Sequence, residues 1–121
     1  MAFESVYYET ESGCRPVRDL VDGLNFKIQQ KFFAREEKLL SAYAENLPPP
    51  HVHYLGDGIY EFKVSFANFE YRFLFIRKSQ FIVFLHAFLK KTRRVPGREI
   101  HLAAARRKDF ENRWKAGRIR I

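Results

Sequence analysis

Four cations fall within five residues at Lys90, Lys91, Arg93 and Arg94, inside the segment His86 to Glu99 (HAFLKKTRRVPGRE). The segment leaves a continuously apolar stretch, Phe81 to Phe88, and runs into Pro96, a residue suited to the start of a helix. Basic side chains crowded at the mouth of a sheet can bind several phosphates by charge and hydrogen bonding. The plainer alternative is a solvated basic turn. A second set of candidates lies upstream. If Ala67 and Asn68 form a two-residue turn, Lys63 lies opposite Arg72 and Phe62 opposite Phe73. One face of that hairpin then holds Tyr60, Phe62, Val64, Phe66, Phe69, Tyr71, Phe73 and Phe75, a core face to be covered by helices. The other holds Glu61, Lys63, Ser65, Glu70 and Arg72. Cations placed directly across strands repel, so Glu61 and Glu70, or an anionic ligand, are expected to compensate them.

These residues need a scaffold, and the rest of the chain supplies its outline. Phe3 to Glu9 reads as a short strand before the Ser12-Gly13 break. Pro16 suits a first helical turn, with Val17, Leu20 and Val21 at helical spacing up to Gly23. From Leu24 to Asn46, Ile28, Phe32, Leu39, Tyr43 and Leu47 recur near a period of 3.6. The pattern predicts two helices, an unequal helical hairpin that stops at Pro48-Pro49-Pro50. His51 to Leu55 reads as extended, followed by the turn signal Gly56-Asp57-Gly58. Ile59 to Phe66 and Phe69 to Ile76 alternate as strands, while Phe81 to Phe88 is apolar throughout and predicts a strand covered on both faces. A last helix from Pro96 carries Ile100, Ala103, Ala104, Arg107, Phe110 and Trp114.

The 121 residues suit a single domain, 1–121, and the 13 Phe, 6 Tyr and 1 Trp promise a compact core. Cys14 is the lone cysteine, so no internal disulfide or cysteine-based zinc site can form, and a reducing cytoplasmic setting is expected. The longest apolar run is far short of the roughly 20 residues of a spanning helix. No basic segment followed by an apolar core opens the chain, so neither a signal peptide nor a membrane partner is expected. Charge divides sharply: residues 1–60 carry 6 basic and 9 acidic side chains, residues 61–121 carry 16 and 5. A strongly basic second half points to a nucleic-acid surface built there.

The pattern Gly58-Ile59-Tyr60-Glu61-Phe62-Lys63, Tyr71-Arg72-Phe73, His86-Ala87-Phe88-Leu89-Lys90-Lys91-Thr92, Pro96 and Glu99-Ile100 resembles the phage-derived HigB-like toxins of the RelE/ParE superfamily. The resemblance implies an α+β, RelE-like fold: N-terminal helices packed on a small, mostly antiparallel sheet, with a C-terminal helix. It also implies a type II toxin that cuts translated mRNA on the ribosome without a metal or other cofactor, neutralised by a helix-turn-helix (HigA-like) antitoxin. In such cleavage the RNA 2′-hydroxyl attacks its own phosphate. The site must remove that proton, stabilise the phosphorane and protonate the leaving 5′-oxygen. Arg72, with its planar fork, suits the phosphate. Lys90 and Lys91 could stabilise charge or act as acid or base. Glu61 stands where the family often has an acid, and is either a base or an ion-pair partner of Arg72. Lys63 stands where relatives often carry Arg, and Arg93-Arg94 replace a more polar pair. Lys63, Thr92, Arg93, Arg94 and Arg98 are accordingly candidate contacts to RNA and the ribosome.

His86, in an apolar strand, reads as a hydrogen-bonded core histidine or a catalytic one. His51 and His53 share a face if extended, but lack a third ligand, so no metal site is expected. Phe110 and Trp114 follow core spacing, and Arg118 to Ile121 reads as an edge strand, a loose tail or, on the resemblance, a segment in the antitoxin's path. Two rival functions remain: a ParE-like inhibitor of DNA gyrase on the same scaffold, against which Lys90-Lys91 argues, and a non-catalytic nucleic-acid-binding protein of a prophage.

Overall fold

A computed structural model describes residues 2–121. In chain order the elements are β1 (Glu4–Tyr7), α1 (Pro16–Asp22), α2 (Phe26–Ala44), β2 (Val52–Gly56), β3 (Ile59–Phe66), β4 (Phe69–Lys78), β5 (Phe81–Leu89) and α3 (Gly97–Lys115). They build an α+β fold on a five-stranded mixed sheet of order β1-β5-β4-β3-β2. β1 runs parallel to β5, and the other neighbours are antiparallel.

Local chemistry explains the boundaries. Leu24 falls outside α2 because Asn25 caps it, its side-chain oxygen accepting the Ile28 N–H at 3.0 Å. Gln29 reaches back to donate to the Val21 and Asp22 carbonyls, closing the end of α1. α2 stops at Ala44, and the Leu47 N–H returns to the Ala42 carbonyl before the prolines begin. At the β2–β3 turn Asp57 and Gly58 both take positive φ, 53° and 78°, as a tight hairpin of this kind requires. A Cβ at Gly58 would also lie 3.2 Å from the Arg107 guanidinium, which would have to shift to admit it. Arg107 itself donates to the Asp57 carbonyl and ties α3 to this turn.

The β3–β4 hairpin has the predicted register, with Lys63 opposite Arg72 and Phe62 opposite Phe73. Its core face meets α1 and α2, where Phe32 packs on Phe73 and Phe84 with ring centroids 4.7 and 6.1 Å apart. Phe69 departs from the expectation: placed on the core face by alternation, it is 49% exposed at the end of the hairpin. The opposite face is also more apolar than alternation along β3 suggests. Ile59, Leu74, Ile76, Val83 and Leu85 lie there under Ala103 and Phe110 of α3. Helices on both sides therefore bury Ile82, Val83, Phe84 and Leu85 completely, the reason β5 is apolar without alternation. α3 covers only part of its face, and the charged residues occupy the remainder. No helix is long and apolar enough to cross a membrane among the described residues.

Candidate active site

On the uncovered part of the α3 face, five charged side chains form an alternating chain. Lys63 Nζ lies 3.9 Å from Glu61 Oε1, and Arg72 Nη1 donates to Glu61 Oε2 at 2.5 Å. Arg72 Nε donates to Glu70 Oε2 at 2.7 Å, and Lys90 Nζ lies 3.3 Å from the same oxygen. Ser65 donates to the other oxygen of Glu70 at 3.3 Å. The opposed cations Lys63 and Arg72 are thus compensated as expected, with one carboxylate between each pair of positive charges. Glu61 and Arg72 are buried, 2% and 4% exposed, whereas Glu70 and Lys90 remain partly open. Burial alone would raise the Glu70 carboxyl, but its bonds to Arg72 and Lys90 outweigh this and hold it below the ordinary range, so it is ionised at neutral pH.

Lys90 reaches this face through an irregularity in β5. Leu74 pairs with His86 while the next residue, Phe75, pairs with Phe84, leaving Leu85 as an extra residue. Before this bulge, Ile82 and Phe84 face α1 and α2, and Val83 and Leu85 face α3. Uninterrupted alternation would send His86, Phe88 and Lys90 to the side of Phe84. The bulge reverses the parity, so His86 faces α3, Phe88 lies opposite Arg72, and the Lys90 N–H pairs with the Glu70 carbonyl at 2.8 Å.

His86 anchors the other end of the basic segment. It is 9% exposed, with Nε2 2.9 Å from Glu99 Oε2 and Nδ1 3.1 Å from Arg106 Nη1. Arg106 has only protons to offer, so Nδ1 accepts and Nε2–H donates, the neutral tautomer. His86 is the hydrogen-bonded interior histidine of the two readings, fastening the start of α3 to β5. Burial, opposed by Glu99 and reinforced by Arg106, pushes its pKa below the ordinary 6.5. The unfolded chain therefore binds this proton more readily than the fold does. His86 costs the fold nothing above pH about 7, and stability falls as pH drops through 6.5 towards the lowered folded value. Urea midpoints measured from pH 7.5 to 5.5 are expected to decline in the parent and to decline less in His86→Gln; equal declines would remove His86 as the cause.

Above Arg72 opens a hollow of about 410 Å³, lined by Glu61, Lys63, Arg72, Arg93 and Arg94, with His53 beside them and Leu55, Val95 and Ile100 as apolar walls. Four cations against one carboxylate give it a net positive lining. Lys91, Thr92 and Arg98 instead line a neighbouring hollow of about 330 Å³ with Phe88 and Glu99. Thr92 donates its hydroxyl to the Arg94 carbonyl at 2.7 Å, closing the turn, and Arg98 sits exposed, 3.7 Å from Glu99 Oε1. The candidates thus divide into Lys63, Arg72, Arg93, Arg94 and Lys90 around Glu61 and Glu70, and a separate group at Lys91. His51 lies outside β2 with φ 62°, and His53 pairs with Glu61 across the strands. Among the described residues no three His, Cys, Asp or Glu side chains converge as a metal site would require.

Glu70 is more central than the sequence suggested. Its place two residues before Arg72 on one strand face was visible, but its link to Lys90 depends on the bulge. A comparison with curated proteins gives no match. The profile of the family described as phage derived protein Gp49-like (DUF891) matches residues 19–108, a span that holds every charged residue of this site. The chain belongs to the phage-derived Gp49-like family.

Proposed function

We propose that this protein is a HigB-like toxin of RelE-like architecture that cleaves translated mRNA on the ribosome, without a metal, in the cytoplasm. The observation that carries the reading is the cationic hollow over a buried Arg72, with Lys90 tethered beside it through Glu70. An RNA phosphate entering the hollow would meet Lys63, Arg93 and Arg94 at its rim and the remaining guanidinium N–H groups of Arg72 at its floor. As the 2′-hydroxyl gives up its proton to solvent water in the open hollow, its oxygen attacks phosphorus and the bond to the 5′-oxygen breaks, and negative charge grows on the phosphoryl oxygens, where fixed cations stabilise it most. Lys90 is assigned the proton for the leaving 5′-oxygen. Glu61 and Glu70 are assigned to aim Arg72 and Lys90, because their oxygens are engaged with those cations. Phage derivation and the sequence resemblance supply the toxin context and a helix-turn-helix antitoxin as partner.

The test is induction in cells with primer extension on a translated message, comparing the parent with Lys63→Ala/Arg93→Ala/Arg94→Ala. These side chains lie at the rim, so the fold should persist, as a melting curve would verify. The parent is expected to arrest growth and leave cut ends in the message; the triple variant is expected to lose at least about tenfold in cutting. Arrest with a DNA-damage response and intact message would favour gyrase inhibition instead. Salt-sensitive RNA binding with neither arrest nor cutting would leave a binding module.

A further inference from the structure

A second cationic hollow lies away from this site, along the outer edge of β1. It has a volume of about 360 Å³ and lies entirely outside residues 19–108, so family membership does not assign it. Five consecutive residues, Ser5 to Glu9, line it. Successive strand side chains point to opposite faces, so a hollow touching all five follows the strand's edge and not one of its faces.

That edge is unpaired. β1 ends the sheet, with β5 as its neighbour. The Glu4 and Tyr8 N–H groups donate to the Gln80 and Phe84 carbonyls on the β5 side. By strand alternation, the Ser5 and Tyr7 backbone groups point outward, and among the described residues no backbone group pairs with them.

The lining is mainly cationic. Arg15, Arg113, Arg118 and Arg120 line the hollow with Glu9, and Phe110 and Ile119 are its apolar lining; Arg113 is already paired with Asp109 and Arg118 lies 3.5 Å from Glu11, so Arg15 and Arg120 carry the charge left over. Arg113 is nearly buried: its Nη2 donates to the Glu9 carbonyl and, at 2.7 Å, to Asp109. Its Nε has no hydrogen-bond partner among the described residues, and neither does the Ser5 hydroxyl. These two buried polar groups lie beside the unpaired strand edge, whose outward Ser5 and Tyr7 backbone groups are the ones an arriving chain would meet.

From this edge and its charge, we infer that β1 receives an extended acidic polypeptide segment as an added strand. Main-chain bonds to Ser5 and Tyr7 would hold it, while carboxylate side chains at alternate positions meet the arginines. A bare phosphate would use the arginines and leave the strand edge and the apolar lining unexplained. The inference stands apart from the RNA-cleavage reading, since it shares no residue with that site.

The probe is a blocked peptide of about ten residues alternating Glu and Val, long enough to cover one strand edge, added to the full chain. Amide exchange at Ser5 and Tyr7 is expected to slow on binding. Affinity is expected to fall about tenfold or more in Arg118→Glu/Arg120→Glu, whose changed positions are exposed and whose fold a melting curve verifies. The same peptide N-methylated at alternate backbone nitrogens keeps its charges and is expected to lose binding. Unchanged exchange at Ser5 and Tyr7, equal affinity for the charge-reversed variant, or equal binding of the N-methylated peptide would each overturn the inference. Tighter binding of a short oligouridylate or inorganic phosphate at the same amides would overturn it too, in favour of a phosphate site.

Discussion

Arg72→Ala is expected to destabilise the protein by about 3–5 kcal/mol, the usual cost of leaving a buried charge without its partner. Glu61 is 2% exposed, and its closest cation is Arg72, at 2.5 Å; Lys63 is the more distant one at 3.9 Å. Removing the guanidinium leaves a carboxylate that water hardly reaches, in a domain whose whole stability is on the order of 5–15 kcal/mol. The double variant Arg72→Ala/Glu61→Gln should recover a substantial part of the loss, because a neutral amide costs less to bury than an unpaired charge. Arg72→Lys should fall between them, since one ammonium cannot reproduce a planar fork that donates separately to Glu61 and Glu70. Urea denaturation of the four proteins measures this. If Arg72→Ala unfolds at the parent's midpoint, the buried pair contributes nothing and Glu61 needs another role. A dead Arg72→Ala protein would not by itself identify Arg72 as a phosphate ligand. The rim variants carry that test.

The sequence made the hairpin legible because two signals agree there. The turn residues Ala67-Asn68 and the alternation on both strands require one register, and the opposition of Lys63 and Arg72 follows from it. The apolar run of β5 was equally legible, because burial on two faces removes alternation altogether. That same property hid the bulge. In a strand with apolar residues on both sides, inserting Leu85 changes no hydrophobic pattern, so nothing in Phe81 to Phe88 marks where the parity reverses. The site suffered accordingly. Arg72, Lys63 and Glu61 could be placed on one face from β3 and β4 alone, whereas Lys90 and Lys91 could not be distinguished. Phe69 failed for a different reason: alternation gives its face but not the reach of the helices, and the hairpin's end is left uncovered.

Lys90→Ala is expected to lower mRNA cleavage by about 10²–10³-fold, and Lys91→Ala by less than about tenfold. The difference follows from the bulge. Lys90 is delivered to the Arg72 face and held there by Glu70 at 3.3 Å, while Lys91 lines the separate hollow with Thr92 and Arg98. A cation fixed by an existing ion pair needs little reorganisation when charge develops on the phosphate, and it can supply a proton from a set position. One in a different hollow can contribute only to general attraction for RNA. Both changes should leave the fold almost untouched. The Lys90 side chain is 30% exposed, and its removal leaves Glu70 bonded to Arg72 at 2.7 Å, so the stability cost should stay within about 1 kcal/mol. Single-turnover cutting on programmed ribosomes, with the melting temperature of each variant as control, separates chemistry from folding. A Lys91→Ala protein more impaired than Lys90→Ala would place the reacting phosphate over the hollow at Thr92 and Arg98, and Arg72 would then serve the structure alone.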